Sequence, residues 1–151
     1  MKKQFEIFKI YRKSLVQEID DLSIEQLQKI PEGFKNNIFW NVAHTLVSQQ
    51  ILHYKMSGLN PLITNDWIEN YQNGTFPRFV ITEDEIDYLK SKLIITAEQL
   101  EEDFNEKRFE SYTEFETKMG IVISSVEDAI NFNNTHEALH YGIVSSMKKL
   151  V

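Results

Sequence analysis

The chain has no cysteine among its 151 residues, which removes disulfides, thiolate nucleophiles and cysteine-ligated zinc together. Any thiol chemistry here needs a cosubstrate that brings its own sulfur. Apolar runs approaching the roughly 20 residues that span a bilayer are also missing. The opening Met1-Lys2-Lys3-Gln4-Phe5-Glu6 leads into mixed sequence rather than the apolar stretch of a secretion signal. The expectation is a cytoplasmic protein with no membrane partner. Positive charge is in short supply: 16 basic residues face 23 acidic ones, a net charge of −7. That balance opposes sequence-independent attraction to phosphate backbones, so nucleic acid is not an expected partner. Strand-like alternation and internal repeats are absent as well. What remains, 42% hydrophobic and 26% charged residues, is the composition of a globular chain, and its length suits one domain over residues 1–151 with a sizeable core.

The dominant period is helical. Phe8, Tyr11, Leu15, Ile19 and Leu22 step by three or four residues and predict a first helix over about 2–20. Ser23 and Gln26 form a capping box for a short further turn that ends before Pro31. A second helix is expected from Asn36 or Asn37 to near Gly58, with Trp40, Ala43, Val47, Ile51 and Tyr54 on its apolar stripe. Pro61, Asn73-Gly74 and Pro77 mark residues 59–81 as a crossover with room for one short helix around 66–71. Thr82 and Glu85 cap a third helix whose stripe is Ile86, Leu89, Leu93, Ala97, Leu100 and Phe104. After an irregular stretch, Ser124 or Ser125 opens a fourth helix, with Glu127 and Asp128 in its first turn and Lys148 and Lys149 in its last.

Four long helices predict an all-α four-helix bundle. The crossover of about 23 residues is longer than an antiparallel hairpin needs, and it lets helices two and three run parallel. The expected topology is up-down-down-up, with helices two and four antiparallel.

Only four histidines occur, and two of them, His136 and His140, lie one helical turn apart. At i and i+4 their imidazoles share a face and can grip one divalent ion. His44 lies roughly 10 Å along helix two, and His140 lies roughly 15 Å from the end of helix four. Antiparallel packing brings all three to one depth, whereas parallel packing separates them by roughly 10 Å or more. His44, His136 and His140 are therefore the candidate metal ligands. His53 lies nine residues after His44, rotated by roughly 180°, and is expected on a solvated face. Because imidazole must be neutral to ligate, affinity should weaken as pH falls through about 6.5.

Asn133 and Glu137 interrupt the same stripe and are candidates for proton handling or for orienting the ligands; no catalytic residue is assigned, and no organic cofactor is expected. His136-Glu137-Ala138-Leu139-His140 also matches the H-E-x-x-H pattern of zinc peptidases. The extended form of that pattern needs glycine and histidine where Ile143 and Ser146 stand, which makes a peptidase the weakest of the readings. Three imidazoles leave open positions on the ion, the arrangement of catalytic sites. The enzymatic readings are a metal-dependent hydrolase and a transferase using a low-molecular-weight thiol. The non-enzymatic reading is a module that binds metal or a small ligand. Zinc, nickel or iron suits such ligands best.

Across nearly its whole length the chain resembles the DinB-like, YfiT-like metal-binding four-helix bundles of bacteria. The resemblance lies in the first helix with Leu22-Ser23-Ile24-Glu25-Gln26-Leu27, in Asn37-Ile38-Phe39-Trp40-Asn41-Val42-Ala43-His44, and in Phe132 through Gly142. It implies a three-histidine site of His44, His136 and His140, and a homodimer. It also implies either of the two enzymatic readings above, although many similar proteins have no known activity. The exposed aromatics of the crossover, Trp67, Tyr71, Phe76 and Phe79, are expected to pack over the bundle or to meet a second subunit.

Overall fold

The computed structural model describes all 151 residues and is mostly helical. Helix α1 covers Lys2–Asp20 and buries Phe5, Phe8, Arg12, Leu15 and Ile19. A short α2, Ile24–Gln28, starts on the Ser23–Gln26 capping box. Helix α3, Ile38–Gln49, begins where the Asn37 side chain accepts from the Trp40 amide, and eleven of its residues are buried. The chain then widens into a π turn over Gln50–Tyr54, tightens over Lys55–Ser57, and stops at Gly58 in the left-handed conformation (φ +73°) that glycine tolerates best. The crossover carries α4, Asn65–Tyr71. Helix α5, Glu83–Asn105, starts on the Thr82–Glu85 capping box, and α6, Val126–Met147, starts at Ser125.

Side-chain pairings show how the long helices lie. Along α1 and α6 the residue numbers rise together: Gln4 meets Asn134, Arg12 meets Glu137, and Glu18 meets Ser145 and Lys148. Along α1 and α5 they run against each other: Phe5 meets Phe104, Lys9 meets Glu101, and Asp20 meets Lys90. Asn41 of α3 reaches Met147 and His140 of α6, while Leu52, a turn beyond α3, packs near Ala129. Gln49 reaches Thr96, and Tyr54 reaches Asp103 of α5. The largest apolar cluster gathers Leu15 and Ile19 of α1, Leu46 and Val47 of α3, Leu89 and Leu93 of α5, and Val144 and Met147 of α6. No helix is long and apolar enough to cross a membrane.

The irregular stretch before α6 and the position of His53 depart from the sequence reading. Where no strand is expected, Phe115–Glu116 (β1) and Val122–Ile123 (β2) form a small antiparallel ladder, with Phe115 opposite Ile123 and a left-handed Gly120 in the turn. His53 is not solvated: it is 0% exposed, and its Nδ1–H donates to the Gln49 carbonyl at 2.7 Å. An amphipathic reading assigns one face of helix two to water. Here neighbours cover α3 and its π turn on nearly every side, and the wider turn shifts residues beyond Gln49 out of α-helical phase.

Trp67 and Tyr71 pack down onto Phe39 as expected, with ring centroids 6.3 and 5.8 Å away. Phe76 and Phe79 do not: they remain 54% and 65% exposed.

Candidate metal centre

His44 projects from the middle of α3, and His136 and His140 project from successive turns of α6. Their ring centroids form a triangle of 5.1 Å (His44 to His136), 5.0 Å (His44 to His140) and 4.5 Å (His136 to His140). One ligand nitrogen from each ring lies within 4.8 Å of the other two, a group that can hold a metal ion. The three candidate ligands read from the sequence therefore come together, and His53 stays apart in the core.

The donor chemistry fits such an ion. The His44 Nδ1–H donates to the Tyr71 carbonyl at 2.7 Å, which leaves Nε2 as the lone-pair nitrogen. For His140 the Nδ1–H donates to Asn41 Oδ1 at 3.0 Å, and Asn41 is itself oriented because its Nδ2 donates to the Asn37 carbonyl at 2.8 Å. Ligand histidines are usually anchored through the second ring nitrogen in this way, which fixes both tautomer and aim. His136 Nδ1 is buried without a protein partner. Trp40, one turn before His44, stacks on that ring at 4.7 Å with an 8° interplanar angle.

Burial keeps all three rings neutral. It lowers the His44 pKa, and together with the neighbouring imidazoles it lowers His140 to about 4 and His136 to about 3. Neutral imidazole is the ligating form, so the site is held ready for a cation at ordinary pH.

The rings line a cavity of about 780 Å3. Its walls are largely apolar, among them Ile51, Met56, Phe115, Phe132 and Leu139. The charged residues lining it are Lys35 from the segment before α3 and Glu116 and Lys118 from the hairpin. Apolar walls around a few convergent polar groups are the usual build of a small-molecule site.

Glu137 and Asn133 do not line this cavity. Both are buried, and Glu137 Oε1 instead accepts from Arg12 Nη2 of α1 at 2.7 Å. Residues outside the sequence-based set shape the site: Asn41 and the Tyr71 carbonyl orient two rings, and Trp40 backs one. The sequence does carry a signal for Asn41, a polar residue three positions before His44 in the otherwise apolar run Ile38–Ala43. For a main-chain carbonyl contributed by the crossover it carries none.

Comparison with known families matches residues 7–144 to the DinB superfamily. The chain is similar in structure to a conserved protein of Enterococcus faecalis, with a TM-score of 0.72 and 11% sequence identity over 99% of this chain and 95% of that one. At that identity the likeness speaks for the fold. No curated protein matches.

Proposed function

The chain belongs to the DinB superfamily, and from that premise we propose that it is a divalent-metal protein whose ion is held by His44, His136 and His140. The observation that carries this reading is three neutral imidazoles with one nitrogen of each within 4.8 Å of the others, two of the rings anchored through the second nitrogen. We also read the fold as a single-domain four-helix bundle of up-down-down-up topology, a reading supported by the rising and falling order of the pairings among α1, α3, α5 and α6.

An ion on three histidines supplies Lewis acidity at its remaining coordination positions. The chain's own residues do the rest. Tyr71 and Asn41 hold two rings in their ligating tautomers, Trp40 keeps the His44 ring from turning, and the apolar walls exclude water from whatever enters. The ligand of this reading is a small molecule with an apolar body, oriented by the few charges of the rim. The reaction is hydrolysis of a carbonyl compound or transfer involving a low-molecular-weight thiol; with no cysteine in the chain, the thiol enters as cosubstrate. Zinc, nickel and iron suit the ligand set. Phe76 and Phe79, exposed on the crossover, support a homodimer whose contact lies there.

Protein purified without a histidine tag should contain about one equivalent of a transition metal by elemental analysis, as expected for one site of three ligands. The loaded protein is then screened on model esters and amides, and on electrophiles with and without thiol. Turnover in one screen identifies the reaction class. Metal without turnover in either moves the reading to a binding module, and absence of metal under all loading conditions sinks it.

A further inference from the structure

Arg12 and Glu137 form an ion pair in which both side chains are 0% exposed. Burying two charges is costly, and an apolar pair of similar volume often serves stability equally well or better. The cost is higher here because Arg12 Nε and Nη1 have no protein partner. Stability is thus a poor reason for the pair, and its geometry offers a better one. A single nitrogen, Arg12 Nη2, donates to the Thr45 carbonyl at 3.0 Å and to Glu137 Oε1 at 2.7 Å. Thr45 is the residue after His44 on α3, and Glu137 is the residue after His136 on α6. The Phe8 ring, 4.7 Å from the guanidinium carbon, helps keep the group in place.

We propose that Arg12 is a positioning residue for the metal centre: from a third helix it clamps α3 and α6 together at the residues adjoining two of the ligands. This inference rests on the metal reading above. Side-chain tips lie about 5–6 Å from a helix axis, so a 10° roll of α6 moves its imidazoles by about 1 Å. Ligand distances tolerate only about 0.2 Å. Apolar packing alone resists such a roll weakly, because dispersion is non-directional, whereas two hydrogen bonds donated by one nitrogen are directional.

The test compares wild type with the double variant Arg12→Met/Glu137→Leu, which replaces the pair with apolar side chains, and with Arg12→Lys, which keeps the charge and loses the planar fork. Zinc affinity is measured by chelator competition, and cobalt spectra report ligand geometry. Imidazole 15N spectra of the metal-free proteins report ring order independently of any metal. The double variant is expected to unfold cooperatively, to bind zinc at least tenfold more weakly, to show an altered cobalt spectrum, and to broaden the signals of His44, His136 and His140. Arg12→Lys should give the same changes to a smaller degree, and it carries the comparison alone if the double variant does not fold. Wild-type affinity together with unchanged imidazole signals in a folded variant would overturn the clamp. If the wild type itself binds none of zinc, cobalt, nickel or iron, the metal reading fails. The imidazole spectra then decide the clamp: broadened in the variants it stands, unchanged it falls.

Discussion

Replacing His44 with alanine is expected to weaken zinc binding by roughly a hundred- to a thousandfold, the share of one ligand in a four-coordinate site worth about 10–16 kcal/mol. His136→Ala and His140→Ala should do the same, since each supplies one corner of the same triangle. His53→Ala is the control. It should leave zinc stoichiometry and affinity in place while lowering unfolding stability by about 1–3 kcal/mol, because it empties a fully buried position. Titration calorimetry and urea unfolding separate the two effects. Loss of binding in the His53 variant with retention in the His44 variant would reverse the ligand assignment.

Metal-free protein should lose stability steeply as pH falls from about 6.5 toward 3. Burial holds His53 and His140 at about 4 and His136 at about 3 in the folded chain, and it lowers His44 too. In the unfolded chain these groups titrate near 6.5. Between those values the unfolded state binds more protons, so acid favours unfolding. The stability contributed by neutral burial is complete above about 6.5 and is lost as pH drops through the folded values. His53 alone, lowered to about 4, accounts for about 3 kcal/mol of that loss. This is a large share of the 5–15 kcal/mol typical of a domain. Urea midpoints at pH 7.5, 5.5 and 4.5 should fall in order, and the slope should be shallower in His53→Gln. A flat profile would mean that the rings are hydrated in the folded state. The same burial moves the onset of proton competition for metal below the 6.5 expected from free histidine, so affinity that persists to pH 5 remains compatible with imidazole ligands.

Much of the local structure was legible. Ser23, Thr82 and Ser125 read as helix starts and act as such, because capping is chemistry between residues two or three apart. The i, i+4 spacing of His136 and His140 put two rings on one face for the same reason. Periodicity runs the α1 stripe through Tyr11, but the residue fully buried there is Arg12. A charged residue in an apolar stripe reads as solvent-facing unless a partner is known, and that partner, Glu137, lies 125 positions away. His53 escapes the sequence reading for the same reason: periodicity says which residues share a face, and not what the face meets.

Helix starts and stops, the apolar stripes and the pairing of two histidines follow from the amino-acid order alone, since each depends on interactions within a turn or two of backbone. The third imidazole beside the other two, the tautomers set by Asn41 and the Tyr71 carbonyl, the buried Arg12–Glu137 pair and the submerged His53 were decided only by packing. Those features depend on which helix lies against which and at what roll, and that is set by the fit of many distant side chains at once.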